Sequence, residues 1–200
     1  QNFEWLKRAV IGAIEGQAVR GYWKRTIGVK SVVREMMNKM KEQEYASDLE
    51  TLLEAAYFRI QDARIEEAGS GGASVRAAGT SYDYNVAILH YYQCLEVFSV
   101  ALGIDPWQKR EMDVVAEAPR FMVELSRKAS SRSSQAVLEA GKRLNRLRND
   151  FVHPQLMPRL AGLKGKAEPE WRKSIKKADE NKAKGAFDCI ESVITALRQQ

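Results

Sequence analysis

The chain has 200 residues, a formal net charge of +6 and 44% hydrophobic residues, with only five prolines and two cysteines. This length suffices for one large or two small domains without disulfide staples, and the content of Ala, Leu, Glu, Lys and Arg favours helices. No apolar run approaches the about 20 residues of a membrane span, no signal peptide opens the chain, and Cys94, Cys189, His90 and His153 show no metal-ligand spacing. Composition therefore predicts an all-α, cytoplasmic protein with buried thiols and with no metal, cofactor or membrane anchor.

Three helices are predicted in residues 1–68. Apolar positions recur with helical spacing from about residue 3 to 20, and again from Val29 to Met40 after a break at Gly28. Ser47-Asp48-Leu49-Glu50 has the pattern of a capping box, which predicts a third helix from there to about Glu67, antiparallel to its neighbour. The methionines of the second helix are typical of core packing, and an adaptable partner surface is the alternative.

Residues 69–81 contain four glycines and no apolar period. This composition predicts a linker that separates an N-terminal helical region from the rest, or a loop that joins two long helices of one domain. Thr80 or Ser81 can cap the next helix, which should run to Leu102 and stop at Gly103. Because that helix is apolar nearly all round, we expect it at the centre of the fold.

The middle of the chain carries weaker signals. Asp105-Pro106 resembles the start of a helix, predicted over residues 107–117 and broken near Pro119. The hydroxyl groups and basic residues of a polar stretch, residues 126–134, could contact phosphates, and a solvated loop whose last Ser caps the following helix explains them equally well. Pro169 can open a last helix that runs to about Leu197. Its residues 176–184 are nearly all charged, so this part either protrudes into solvent or hinges.

The stretch before Pro154 carries the strongest functional signal. Leu144, Leu147 and Phe151 recur at helical spacing, which predicts a helix with one buried side. Proline has no N–H and biases the preceding residue away from the α region, so this helix should end at about His153. The imidazole is then not locked onto the helical face.

Arg148, Asn149 and His153 supply the parts that phosphodiester cleavage needs. On an ideal helix Arg148 and His153 would point about 140° apart, but a helix that ends at His153 relaxes this constraint. The three side chains can then converge on one anion with a permanent cation, an amide donor, and an imidazole whose ordinary pKa is about 6.5. The attacking 2′-hydroxyl must lose a proton, the phosphorane must be stabilised, and the leaving 5′-oxygen must gain a proton.

Two stretches resemble the HEPN superfamily of helical ribonucleases. The run Arg148-Asn149-Asp150-Phe151-Val152-His153 is similar to the family signature, an Arg, often followed by Asn, and a His four to six residues later. The run from Tyr82 to Glu96 is similar to the first core helix of HEPN domains, particularly those of CRISPR-associated effectors. Together they cover roughly residues 80–155, and the last helix would extend the match to the C terminus.

This resemblance implies a HEPN-like helical bundle over residues 82–200, with additional N-terminal helices in residues 1–68. It implies a metal-independent endoribonuclease of a defence or toxin-like system that cleaves single-stranded RNA, with Arg148, Asn149 and His153 as catalytic residues. In this family the site forms across a two-fold dimer interface, so a homodimer with a composite active site is expected.

The resemblance also implies a regulator, either a ligand-binding sensor domain or an antitoxin-like partner. The chain opens on Gln1 and not on Met, which leaves room for such a domain upstream. Some HEPN toxins carry a Tyr two residues after the His, where a partner enzyme modifies it. Gln155 stands there, so regulation by that route is not expected.

Basic residues are concentrated around the motif. Residues 1–68 carry 11 basic and 11 acidic side chains, whereas residues 142–184 carry 13 basic and 5 acidic ones. Lys and Arg contacts to phosphates release counterions and supply affinity independent of sequence. We therefore expect RNA contacts from Lys142, Arg143, Arg146 and Arg159.

Two other functions fit the same residues. The basic cleft could hold RNA or a nucleotide without cutting it, as some HEPN domains are thought to do. Alternatively, the chain is a helical scaffold in which Arg148 pairs with Asp150 or a more distant carboxylate and His153 only terminates a helix.

Overall fold

The computed structural model describes residues 16–69, 78–152 and 178–198. Within them, six helices and one two-stranded hairpin follow each other along the chain, which confirms the all-α class. The elements are α1 (Gly16–Met40), α2 (Gln43–Gly69), α3 (Ala78–Ala101), β1 (Met112–Asp113), β2 (Ala118–Pro119), α4 (Arg120–Arg127), α5 (Ser134–Val152) and α6 (Glu180–Arg198). None of the described helices combines the length and the apolar content that crossing a bilayer demands.

Helix α1 runs without a break through Gly28, where the sequence predicts one. Tyr22, Thr26, Val29 and Val33 are all buried and form one stripe across the glycine. A glycine inside a helix costs only about 1 kcal/mol, so continuous packing of this stripe outweighs it.

A two-residue turn joins α1 to α2, and the capping-box prediction is therefore wrong. Lys41 takes a left-handed conformation with φ 63°, and the N–H of Glu42 donates to the carbonyl of Met37 at 2.9 Å, which is the bonding pattern of a Schellman motif. The chain reverses at once, so α2 begins at Gln43 and Ser47 lies inside it. Glu50 does not cap the helix but pairs with Arg34 of α1 at 2.6 Å.

Helix α3 lies at the centre, as its apolar circumference predicts. Its side chains Tyr84, Tyr91 and Phe98 are fully buried, and it packs against α2, α4, α5 and α6. The helix starts at Ala78, slightly before the predicted cap at residues 80–81. Gly103 ends it in a left-handed conformation with φ 74°, and the N–H of Ile104 donates to Ser99 O at 2.8 Å, which confirms the predicted stop.

The helices on either side of residues 70–77 share one hydrophobic core. The hydroxyl groups of Tyr22 in α1 and Tyr91 in α3 are hydrogen bonded to each other, and the Tyr22 ring also meets the edge of Phe187 in α6. Arg25 binds Asp188 of α6 at 2.6 Å. The predicted linker, residues 69–81, lies mostly outside the described residues.

A hairpin replaces the helix predicted over residues 107–117. The carboxylate of Asp113 accepts hydrogen bonds from the N–H groups of Val115 and Ala116, at 3.1 and 2.9 Å. Glu117 then takes φ 52°, and β1 pairs antiparallel with β2 with Met112 opposite Pro119. Side-chain bonding to the nearby backbone thus outcompetes the helix here.

The two last helices carry the basic part of the chain. In α5, Leu144 is fully buried and Leu147 partly buried, which confirms the predicted inner side of the motif helix. Helix α6 starts at Glu180, and Asp179 caps it by accepting the N–H of Lys182 at 2.9 Å. Residues 178 and 179 are not helical, so the helix predicted from Pro169 to Leu197 is interrupted within its charged segment, where a hinge was one of the two alternatives.

Candidate functional site

A cleft of about 380 Å³ lies between α3, α5 and the hairpin, and the motif arginine forms part of its wall. Helix α5 turns three polar side chains into it, because residues 145, 148 and 149 fall on one side of a helix. The opposite wall comes from α3, and one end is closed by the hairpin and by the turn that contains Pro106 and Trp107. The cleft is lined by Tyr92, Glu96, Pro106, Trp107, Arg110, Met112, Pro119, Phe121, Asn145, Arg148 and Asn149.

Arg148 is held above an aromatic ring. Its guanidinium carbon lies 5.0 Å from the centroid of the Tyr92 ring, within the range of a cation–π interaction. Its Nη1 also donates a hydrogen bond to Oδ1 of Asn149 at 3.0 Å. Tyr92 is itself fixed, because its ring meets Phe121 edge to face with centroids 6.3 Å apart.

A half-buried carboxylate shares this environment. Burial raises the pKa of Glu96, and the positive charge of Arg148 partly offsets that rise. Burial likewise raises the pKa of Tyr92 to about 12, again against the influence of Arg148. The cleft thus holds two guanidinium groups, a carboxylate, two amides and a phenol that stays protonated at neutral pH, a set that can bind and orient an anionic group.

The other cations of α5 lie away from this cleft. The guanidinium of Arg143 lies across the backbone of Gly185 in α6, with Nη2 2.7 Å from the point that a β-carbon there would occupy. Lys142 forms an ion pair with Glu139 of its own helix at 3.3 Å, and Arg146 is exposed. The structure therefore brings Arg148 and Asn149 together in the cleft and does not add Lys142, Arg143 or Arg146 to its lining.

His153 and Arg159 lie outside the described residues, as does the side chain of Phe151. The described part of α5 ends at Val152, one residue before His153, the predicted general acid or base. The assignment of His153 and Arg159 stays a prediction from the sequence.

Three residues that line the cleft were not predicted from the sequence as site residues. Trp107, Glu96 and Arg110 are distant from the motif along the chain and line the same cavity. Glu96 ends the stretch that resembles the first HEPN helix, and a buried face that includes a carboxylate is a pattern that could have identified it. Trp107 and Arg110 fall in the stretch predicted as helix, where their convergence with Arg148 is not visible.

Metal ligands and reactive thiols are not found among residues 16–69, 78–152 and 178–198. No group of three or more His, Cys, Asp or Glu side chains in these ranges is placed to hold a metal ion. Cys94 and Cys189 are free and buried, as predicted, and burial raises the pKa of both thiols, that of Cys189 to about 11. Thiols of this kind are protonated at neutral pH and react slowly.

Comparisons with known proteins give no relative on which to base an assignment. No family model, no curated protein and no solved structure matches the chain. The residues and the cleft themselves therefore carry the functional argument.

Proposed function

We propose that the protein is a metal-independent endoribonuclease that cleaves single-stranded RNA through attack of the 2′-hydroxyl on the adjacent phosphate. The observation that supports this most is the guanidinium of Arg148, fixed over the Tyr92 ring in a cleft that it shares with the amides of Asn145 and Asn149. A pre-oriented guanidinium stabilises charge that develops on a phosphorane without reorganising during the reaction.

The roles follow from the chemistry of each side chain. Arg148 clamps the phosphate and Asn149 orients it through its amide. His153, which follows directly after the described part of α5, acts as general acid or base. The products are a 2′,3′-cyclic phosphate or 3′-phosphate and a 5′-hydroxyl. DNA lacks the attacking hydroxyl and is not cut.

The proposal includes the assembly that the resemblance to HEPN proteins implies. Two copies of the chain form a homodimer whose composite site contains two sets of Arg148 and His153. The enzyme acts in the cytoplasm in a defence or toxin-like system, under a sensor domain or an antitoxin-like partner. Sedimentation equilibrium at several concentrations tests the dimer, and a mass of one chain throughout contradicts it.

Cleavage of end-labelled single-stranded RNA in excess EDTA tests the activity. We expect the wild type to cut RNA and not the 2′-deoxy strand of the same sequence, and Arg148→Ala and His153→Ala to abolish cutting. Arg34→Ala is the matched control, because this arginine lies in α1, pairs with Glu50 of α2 and does not line the cleft. Activity that disappears in EDTA, or that survives in both motif variants, contradicts the proposal.

Binding without cleavage has its own signature in the same experiment. If the wild type retains RNA on a filter but leaves it intact, and Arg148→Ala loses that retention, the cleft is a binding site and not an active site. If RNA is neither cut nor retained, the helical-scaffold function is favoured.

A further inference from the structure

We propose that the cleft binds one nucleotide of single-stranded RNA with its base stacked on the indole of Trp107 and its phosphate near Arg148. This inference rests on the proposed function and deepens it, because it names the residue that selects a single strand. In a duplex the base faces are already stacked, whereas an unpaired base is free to stack on a side chain.

The first observation is that Trp107 is held outward by its own turn. Trp107 is 68% exposed, although Trp is on average a highly buried residue. The carboxylate of Asp105 accepts the N–H groups of Trp107 and Gln108 at 2.8 and 3.1 Å, and Pro106 between them is buried. The exposed indole therefore projects from a turn whose backbone is held by Asp105 and by the buried Pro106.

The second observation is that this indole shares a cleft with cations. Arg110 and Arg148 line the same cavity as Trp107, and its volume of about 380 Å³ is at the small end of ligand sites. An aromatic face for a base and guanidinium groups for a phosphate are the two elements that single-strand binding surfaces combine. A cavity of this size holds about one nucleotide.

The third observation concerns the side of Trp107 on which the phosphate lies. Trp107 also borders a second groove of about 430 Å³, between α2 and α3. Glu96 borders both cavities, whereas the described lining of the second groove adds Asp48 and includes no Lys or Arg, and most of its surface is apolar. The described lining of the second groove offers a phosphate no cation, whereas Arg110 and Arg148 line the first cleft, so the charged backbone lies in the first cleft.

Fluorescence anisotropy with a labelled 2′-O-methyl oligonucleotide tests the inference without cleavage. A stacked base contributes enough that its loss weakens binding by about 5- to 150-fold. We expect a weakening in this range for Trp107→Ala and a change below about threefold for Trp107→Phe, which keeps an aromatic face. Val115→Ala is the control, because Val115 is 96% exposed on the hairpin but does not line the cleft.

A set of oligonucleotides with a single abasic residue at each position in turn adds the ligand side of the test. We expect one abasic position to weaken binding to the wild type and to have no further effect on Trp107→Ala. Equal affinity of Trp107→Ala and wild type overturns the inference, and so does a wild type that binds no oligonucleotide. A variant with unchanged affinity but a lower mass in sedimentation also overturns it, because Trp107 is then a protein contact.

The outcomes for the base site and for the nuclease are separable. If binding depends on Trp107 but ribo-oligonucleotides stay intact, the base site stands and the nuclease proposal fails. If RNA is cut with a KM that Trp107→Ala does not change, the nuclease stands and the base site fails.

Discussion

Replacement of Tyr92 by Leu is the sharpest test of how the protein positions Arg148. The guanidinium lies 5.0 Å from the ring centroid, and Tyr92 is only 6% exposed. Cation–π contacts contribute about 0.5–1 kcal/mol at exposed sites and about 2 kcal/mol when desolvated. This buried ring belongs to the upper part of that range, about 1–2 kcal/mol. If the contact holds the guanidinium where the phosphate binds, its loss lowers kcat/KM by about 5- to 30-fold.

Tyr92→Phe keeps the ring and is expected to retain activity within about threefold. The initial rate of cleavage of labelled single-stranded RNA in EDTA measures both variants. Phe98→Leu is the control for folding, because Phe98 is a fully buried ring of the same helix that does not line the cleft.

Two results refute this reasoning. If Tyr92→Phe loses as much activity as Tyr92→Leu, the hydroxyl matters and the ring does not. If Tyr92→Leu is fully active, Arg148 does not need the ring. The NMR signal of the Arg148 guanidinium gives a readout without RNA, since a ring current shifts it in the wild type and in Tyr92→Phe but not in Tyr92→Leu.

Three further predictions concern stability. Lys41→Gly should raise the free energy of unfolding by about 1 kcal/mol in urea titrations, because glycine takes the left-handed conformation at φ 63° without strain; a decrease contradicts this. Glu96→Gln should stabilise the protein at pH 7, because the raised pKa of Glu96 means that the folded state loses stability as this carboxyl ionises. The melting temperatures of the variant and the wild type should converge below the ordinary pKa of 4.5, and a difference between them that widens on acidification refutes this prediction. Gly185→Ala should raise the free energy of unfolding by up to about 1 kcal/mol through its higher helix propensity, because only the end of the Arg143 side chain must shift to make room. A lower melting temperature of the variant would show that Arg143 cannot move.

The sequence correctly predicted the end of a helix where one residue of a characteristic type ends it. Gly103 stops α3 because its left-handed conformation satisfies the last carbonyls of the helix, and this requirement is visible in the sequence. The helix start predicted from Ser47–Glu50 was wrong because the chain turns earlier, at Lys41. Lysine has no preference for the left-handed conformation, so the sequence does not indicate this turn. Once the turn is made, Glu50 contributes more as a partner of Arg34 than as a cap.

The stretch after Pro106 shows the same competition. The carboxylate of Asp105 accepts the N–H groups two and three residues on, as the predicted helix cap does. The turn does not continue as a helix, because Asp113 in its turn binds the N–H groups of Val115 and Ala116 and Glu117 takes φ 52°. These bonds fold two turns and leave Trp107 at the rim of the cleft. Helix propensity is a weak preference that side-chain bonds of this kind can override.

The sequence by itself determined the helical class, the inner side of the motif helix and the concentration of basic residues around Arg148. These properties depend on the spacing and the charge of neighbouring residues. Only the tertiary structure decided that Arg148 lies on Tyr92, that Arg143 of the same helix turns to Gly185, and that Trp107 shares the cleft. The reason is that periodicity specifies which side of a helix is apolar, whereas the choice of the neighbour that covers it depends on the packing of residues far apart in the chain.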